Sequence, residues 1–141
     1  MSIRLFDHID LRVSNVARAR PLYDAFLPAV GFTKVGGSVP GDAGDAWASY
    51  TAEGRDNNHP RQPFVWLNEQ PDHRGGANRI AFWADTKEEV DRIGEVVRRA
   101  GASVIEGPEL CEDYSPVYYA VFFEDGDGNK WEVCCRNAVI T

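Results

Sequence analysis

The chain repeats itself at a spacing of 71 residues, and that repeat restricts its fold more than any other feature. His8-Ile9-Asp10-Leu11 falls on Arg79-Ile80-Ala81-Phe82, Asn15 on Thr86, and Leu22 on Ile93. With one residue of slack, Gly31 falls on Gly101. Each copy begins with a strand-like run, passes into helical spacing and meets a glycine before the next strand. Two copies of such a unit in 141 residues predict an α+β protein of two tandem βαβββ modules. Module one covers about 1–70 and module two about 76–137, within a single domain of residues 1–141.

In the first copy, Leu5 to Val13 alternates. Leu5, Ile9, Leu11 and Val13 share one face, and Phe6, His8, Asp10 and Arg12 the other, the pattern of a half-buried strand. Ser14-Asn15 caps a helix with an apolar face of Ala19, Leu22, Tyr23, Phe26 and Val30. Pro21 and Pro28 each remove a donor, so a late start or a kink is expected. Strands are read at 32–35, 46–52 and 64–68, with loops at 36–44, 54–62 (holding His59) and 69–77 (holding His73). In the second copy, residues 78–84 form a strand, and Thr86 and Glu89 have the spacing of a capping box. Val90, Ile93, Val97 and Ala100 supply the helix face, residues 103–105 a strand, and 106–116 a loop.

The chain closes on YYAVFFEDGDGNKWEVCCR, residues 118–136, two strand-formers' runs around a cluster of turn residues. Alternation puts Trp131, Val133 and Cys135 on one face and Lys130, Glu132 and Cys134 on the other. The DGDGN turn lacks the spaced ligands and terminal Glu of an EF-hand.

A net charge of −7 argues against a nucleic-acid partner, which needs a basic face. No glycine-rich strand-to-helix turn offers a phosphate loop. No signal-like segment opens the chain and no apolar run is long enough for a bilayer, so no membrane association is expected. Three cysteines without a Cys-x-x-Cys pair read as reduced thiols of a cytoplasmic protein.

HIDLRVSNVARARPLYDAFLPAVGF, NRIAFWADTKEEVDRIGEVVRRAGA and FFEDGDGNKWEV resemble the glyoxalase/bleomycin-resistance/dioxygenase group, the vicinal oxygen chelate superfamily. The resemblance implies paired βαβββ modules forming a curled mixed sheet that encloses a cavity, and a homodimer. In metal-using members, a divalent ion is held from the first and last strands of both modules. Carried onto this chain, the first-strand His is His8 and the last-strand Glu is Glu132. The other two places fall on Trp66 and Arg79, neither of which offers a lone pair.

Two readings follow. In the first, the protein binds a small anionic or aromatic molecule without a metal. The Arg79 guanidinium faces Glu132 in place of the ion's charge, since a buried carboxylate left unpaired is costly. Trp66 and Trp83 form walls, and Asp10 and Tyr118 are further ligand-binding candidates; Tyr114 and Tyr119 stand near the same hairpin. His8 and Glu132 are the candidates for acid–base chemistry. Cys134 reads as a small buried residue rather than a nucleophile. The alternative is a lyase, isomerase or dioxygenase using Zn, Ni, Mn or Fe on His8, Glu132 and a third ligand such as Asp10, His59 or His73.

Overall fold

In the computed structural model, which describes residues 4–53 and 62–137, both halves of the chain carry the same run of elements. The first holds β1 (His8–Val13), α1 (Val16–Ala29), β2 (Lys34–Gly37), β3 (Trp47–Thr51) and β4 (Phe64–Glu69). The second holds β5 (Arg79–Trp83), α2 (Lys87–Arg99), β6 (Ser103–Leu110), β7 (Tyr119–Glu124) and β8 (Lys130–Cys135). The chain divides into two units, residues 1–73 and 74–141. The strand orders, β1-β4-β3-β2 and β5-β8-β7-β6, are the same arrangement twice. In each sheet the first pair is parallel and the others antiparallel. The α+β reading of two βαβββ modules with mixed sheets therefore holds. Neither sheet closes: each is open and ends on edge strands.

β1 starts later than the alternation suggests, leaving Leu5 81% exposed before it, while Leu11 and Val13 are buried as expected. α1 begins at Val16, with no late start. Asn15 Oδ1 accepts from the Arg18 N–H at 2.8 Å, and Glu69 Oε1 takes the Val16 N–H at 2.9 Å. Both prolines lie inside the helix. The carbonyls four residues before them belong to Ala17 and Asp24, both exposed, where water can serve them. The buried face is Val16, Leu22, Tyr23, Phe26 and Leu27, and Ala19 and Val30 are only half-buried. Phe32 is buried against the helix end instead of opening a strand, so β2 takes in Gly36 and Gly37 from the expected loop.

α2 uses its capping sequence with a small displacement. Thr86 Oγ1 accepts from the Glu89 N–H at 3.2 Å, while Glu89 Oε2 reaches back to the Asp85 N–H at 2.8 Å, one residue before the cap. Val90, Ile93, Gly94 and Val97 are its buried residues. Gly94 is a contact point, because a Cβ there would stand 2.7 Å from Pro108 Cγ.

The main correction concerns residues 106–110. The expected loop is instead the second half of β6, which runs to Leu110 through a cis Gly107–Pro108 bond and two register shifts against β7. Gly107 has φ +82° and Pro108 has no N–H, and bulges let the strand carry both.

The closing hairpin forms as expected. Asp125, only 4% exposed, takes the N–H groups of Asp127 (2.9 Å) and Asn129 (3.0 Å) and the Asn129 side-chain amide (2.7 Å). Gly75 donates its N–H to the Asp127 carbonyl at 2.8 Å and lies so close that a Cβ would fall 2.2 Å from the Gly128 carbonyl.

Candidate functional site

The open face of the first sheet carries His8, Asp10, Phe64, Trp66 and Asn68, because cross-strand partners His8↔Phe64, Asp10↔Trp66 and Arg12↔Asn68 point the same way. The His8 ring stacks on Phe64 (centroids 4.6 Å apart, planes 5°), and its Nδ1 lies 2.8 Å from Asp7 Oδ1. Asp10 Oδ1 accepts from Arg12 Nη1 and from Asn68 Nδ2, each at 2.6 Å. Asn68 Oδ1 in turn accepts from Trp66 Nε1 at 3.0 Å. The indole of Trp66 lies against Trp47 (4.6 Å, 8°), so this face is an aromatic platform edged by a hydrogen-bond relay.

Register gives Trp66 and Glu132 equivalent places. Trp66 pairs with Asp10, and Glu132 pairs with Ala81, which stands 71 positions after Asp10. In the second sheet, Glu132 lies between Ala81 and Phe122, and Trp83 pairs with Cys134. Glu132 is only 6% exposed and accepts the Tyr118 hydroxyl on Oε2. Burial, then Cys134 and Glu132, push the Tyr118 hydroxyl far up, which keeps it a donor. Burial also pushes the Cys134 thiol up, in keeping with a packed residue rather than a nucleophile.

The expected pairing of Arg79 with Glu132 does not occur. The Arg79 guanidinium lies over the Phe122 ring, 4.7 Å from its centroid. Among the described residues, no carboxylate comes within ion-pair distance of it. Arg79 is level with Lys130 rather than with Glu132, so its long side chain finds the π face while its charge stays hydrated, and a neutral hydroxyl serves the carboxylate instead. Trp83, at the end of the edge strand, is 75% exposed.

Beside Arg79 runs a groove of about 560 Å³. Arg79, Glu106, Glu109, Glu112, Asp113 and Tyr114 line it, with Phe122 as floor. Tyr114 meets Tyr118 edge to face (5.1 Å, 75°). Sequence reading missed this groove because it took 106–116 as a loop and gave Phe122 no role. The alternation placing Phe122 on the face of Ala120 and opposite Glu132 was the available signal.

A family model of the Glyoxalase/Bleomycin resistance protein/Dioxygenase superfamily matches residues 5–133. The chain belongs to this superfamily. Protein YqjT of Bacillus subtilis (strain 168) is 28% identical over 139 residues, covering 89% of this chain and 94% of its own. A glyoxalase/bleomycin resistance protein from Albidiferax ferrireducens T118 shares the fold at TM-score 0.63 and 20% identity, over 93% of this chain and 98% of the other. The fosfomycin resistance protein FosX of Listeria monocytogenes does so at TM-score 0.62 and 17% identity, over 95% and 92%. A variant of that FosX is known in complex with Mn(II) and 1S,2S-dihydroxypropylphosphonic acid.

Two of the four ligand places that the resemblance implies are filled here by side chains with no lone pair to offer a divalent ion. Trp66 gives its only polar atom as a donor to Asn68, and Arg79 is a cation on Phe122. Asp10 is held by Arg12 and Asn68, and Glu132 by Tyr118. Among the described residues, no three His, Cys, Asp or Glu side chains gather as metal ligands. His59, one of the third-ligand candidates, lies outside the described residues.

Proposed function

We propose that this superfamily member binds a small molecule, aromatic in part, on the open sheet faces of its modules, without a divalent ion. Arg79, Glu132 and Tyr118 are the polar contacts on module two; Asp10 and His8 are those on module one, with Trp66 as an aromatic wall. The observation that carries this reading is Arg79, a cation with no carboxylate partner among the described residues, held over the Phe122 ring at the rim of a groove. Such a guanidinium can stack on a ring and grip an acidic group without first breaking an ion pair. The same reading takes the protein as a homodimer, on the strength of the family resemblance, and as cytoplasmic, on its three free cysteines; sedimentation of the purified protein tests the dimer.

A thermal-shift screen of small aromatic acids and amines tests binding. A bound compound raises the melting temperature, and Arg79→Ala abolishes that rise while the unliganded protein melts as before. An unchanged rise removes Arg79 from the site. The metal-dependent alternative rests on the Mn(II) seen with FosX. Stoichiometric Zn, Ni, Mn or Fe in protein purified without chelator, lost in Glu132→Ala, would restore it.

A further inference from the structure

We infer that the groove of module two recognises a zwitterion, a rigid aromatic molecule with an acidic group at one end and an ammonium group at the other. The inference rests on the binding reading above and names its ligand class. Among the described residues, the groove holds one cation, with Glu106 level with the ring it lies on, and a run of carboxylates that continues away from it. At one end the Arg79 guanidinium lies on Phe122. Phe122 is level with Glu106 on β6, and Ala120, two residues along β7, is level with Glu109. Two strand residues span about 7 Å, so Glu109 lies roughly that far along the groove from the Arg79 end. Glu112, Asp113 and Tyr114 continue the lining beyond it.

A simple anion reaching Arg79 meets the repulsion of these carboxylates. A simple cation leaves Arg79 without a counter-charge and meets its repulsion. Only a ligand with both charges, held apart by a rigid spacer, satisfies the two ends at once. The floor suits an aromatic spacer. Phe122 offers a ring under Arg79, and the edge-to-face pair Tyr114 and Tyr118 stands beside the acidic end, where a ring or an ammonium group can lie on a π surface. The groove volume of about 560 Å³ takes a one-ring molecule with room for water.

The test uses three matched probes titrated calorimetrically into the whole protein at low salt: 4-(aminomethyl)benzoate, 4-methylbenzoate and 4-methylbenzylamine. The zwitterion should bind about three- to fivefold more tightly than either singly charged probe, the size expected of one partly exposed ion pair. Arg79→Gln should bring it down to the level of 4-methylbenzylamine. The combination Glu109→Gln, Glu112→Gln and Asp113→Asn should bring it down to the level of 4-methylbenzoate. These four side chains are exposed, so the variants should keep the fold, and the wild-type series decides the matter alone if one does not. Equal binding of the zwitterion and either singly charged probe overturns the inference, as does an advantage that survives Arg79→Gln. If none of the three binds while a screened compound still depends on Arg79, the zwitterion assignment falls and the binding reading stands. If no small molecule depends on Arg79, both fall.

Discussion

Tyr118 donates its hydroxyl to Glu132 from the start of the closing hairpin, so a strand carboxylate that is 6% exposed is served by a neutral group rather than by a cation. Arg79, the cation nearest in register on that face apart from Lys130, is engaged with Phe122. Removing the hydroxyl leaves the carboxylate buried and short of a donor. Tyr118→Phe should therefore lower the free energy of unfolding by about 1–3 kcal/mol, measured by denaturant titration. A double-mutant cycle with Glu132→Gln should return a coupling between the two; strictly additive losses would show the bond to be inert.

Gly94 sets two effects against each other. Alanine in the interior of α2 would gain about 1 kcal/mol in helix propensity. Its methyl group would stand 2.7 Å from Pro108 Cγ and 3.1 Å from Pro108 Cδ, atoms of a ring that cannot rotate away. Overpacking of that kind costs about 1–3 kcal/mol, so Gly94→Ala should come out neutral to destabilising. A thermal melt showing clear stabilisation would mean that α2 and β6 part easily.

The DGDGN turn depends on its first aspartate. Asp125→Ala deletes at least the three hydrogen bonds above from a buried side chain in a half-buried turn, a loss of about 2–4 kcal/mol at roughly 1 kcal/mol each. Asp125→Asn keeps an acceptor oxygen for the two backbone N–H groups and should lose less than half as much. Hydrogen exchange at the β7 and β8 amides reads the difference.

Alkaline pH should unfold the protein through its tyrosines. Tyr119 is pushed up from 10.0 to about 12, by burial first and then by its hydrogen bond to Asp91. Tyr50 and Tyr118 are also raised, again with burial as the largest cause. A raised value in the folded state means that the fold prefers the protonated form. The resulting stability is complete below the unfolded value of 10.0 and is lost as pH climbs through the folded values. The Cys134 thiol, raised from 9.0 by burial, begins the decline slightly earlier. Denaturation curves at stepped pH should show stability falling above about pH 9. Tyr119→Phe should flatten the part of the fall between pH 10 and 12.

The modules were legible because their signals are periodic. Leu11 and Val13 alternate, Val90, Ile93 and Val97 recur at helical spacing, and both β1 and β5 begin at the predicted spacing of 71 residues. The equivalence of Trp66 and Glu132, which stand 66 residues apart, came from the family resemblance and not from the 71-residue spacing, and the strand pairing gives the same correspondence. The second half of β6 was hidden because Gly107 and Pro108 are turn-forming residues, and only pairing with β7 through two bulges makes a strand of them. The partner of Arg79 was hidden for a different reason. Register places a Cα, but a long side chain chooses among neighbours by rotamer, and the ring of Phe122 competed with the carboxylate of Glu132. The acidic lining went unseen along with β6.

The parallel indoles of Trp47 and Trp66, 4.6 Å apart, have an optical consequence. Chromophores stacked so closely exchange excitation, and any twist between their in-plane transition dipoles splits the band into a pair of opposite sign in ultraviolet circular dichroism. Because the two tryptophans sit on adjacent strands, β3 and β4, a slip of one residue between those strands would turn one indole to the opposite side of the sheet and erase the couplet. Module one thus carries its own spectroscopic gauge of strand alignment, readable without a label.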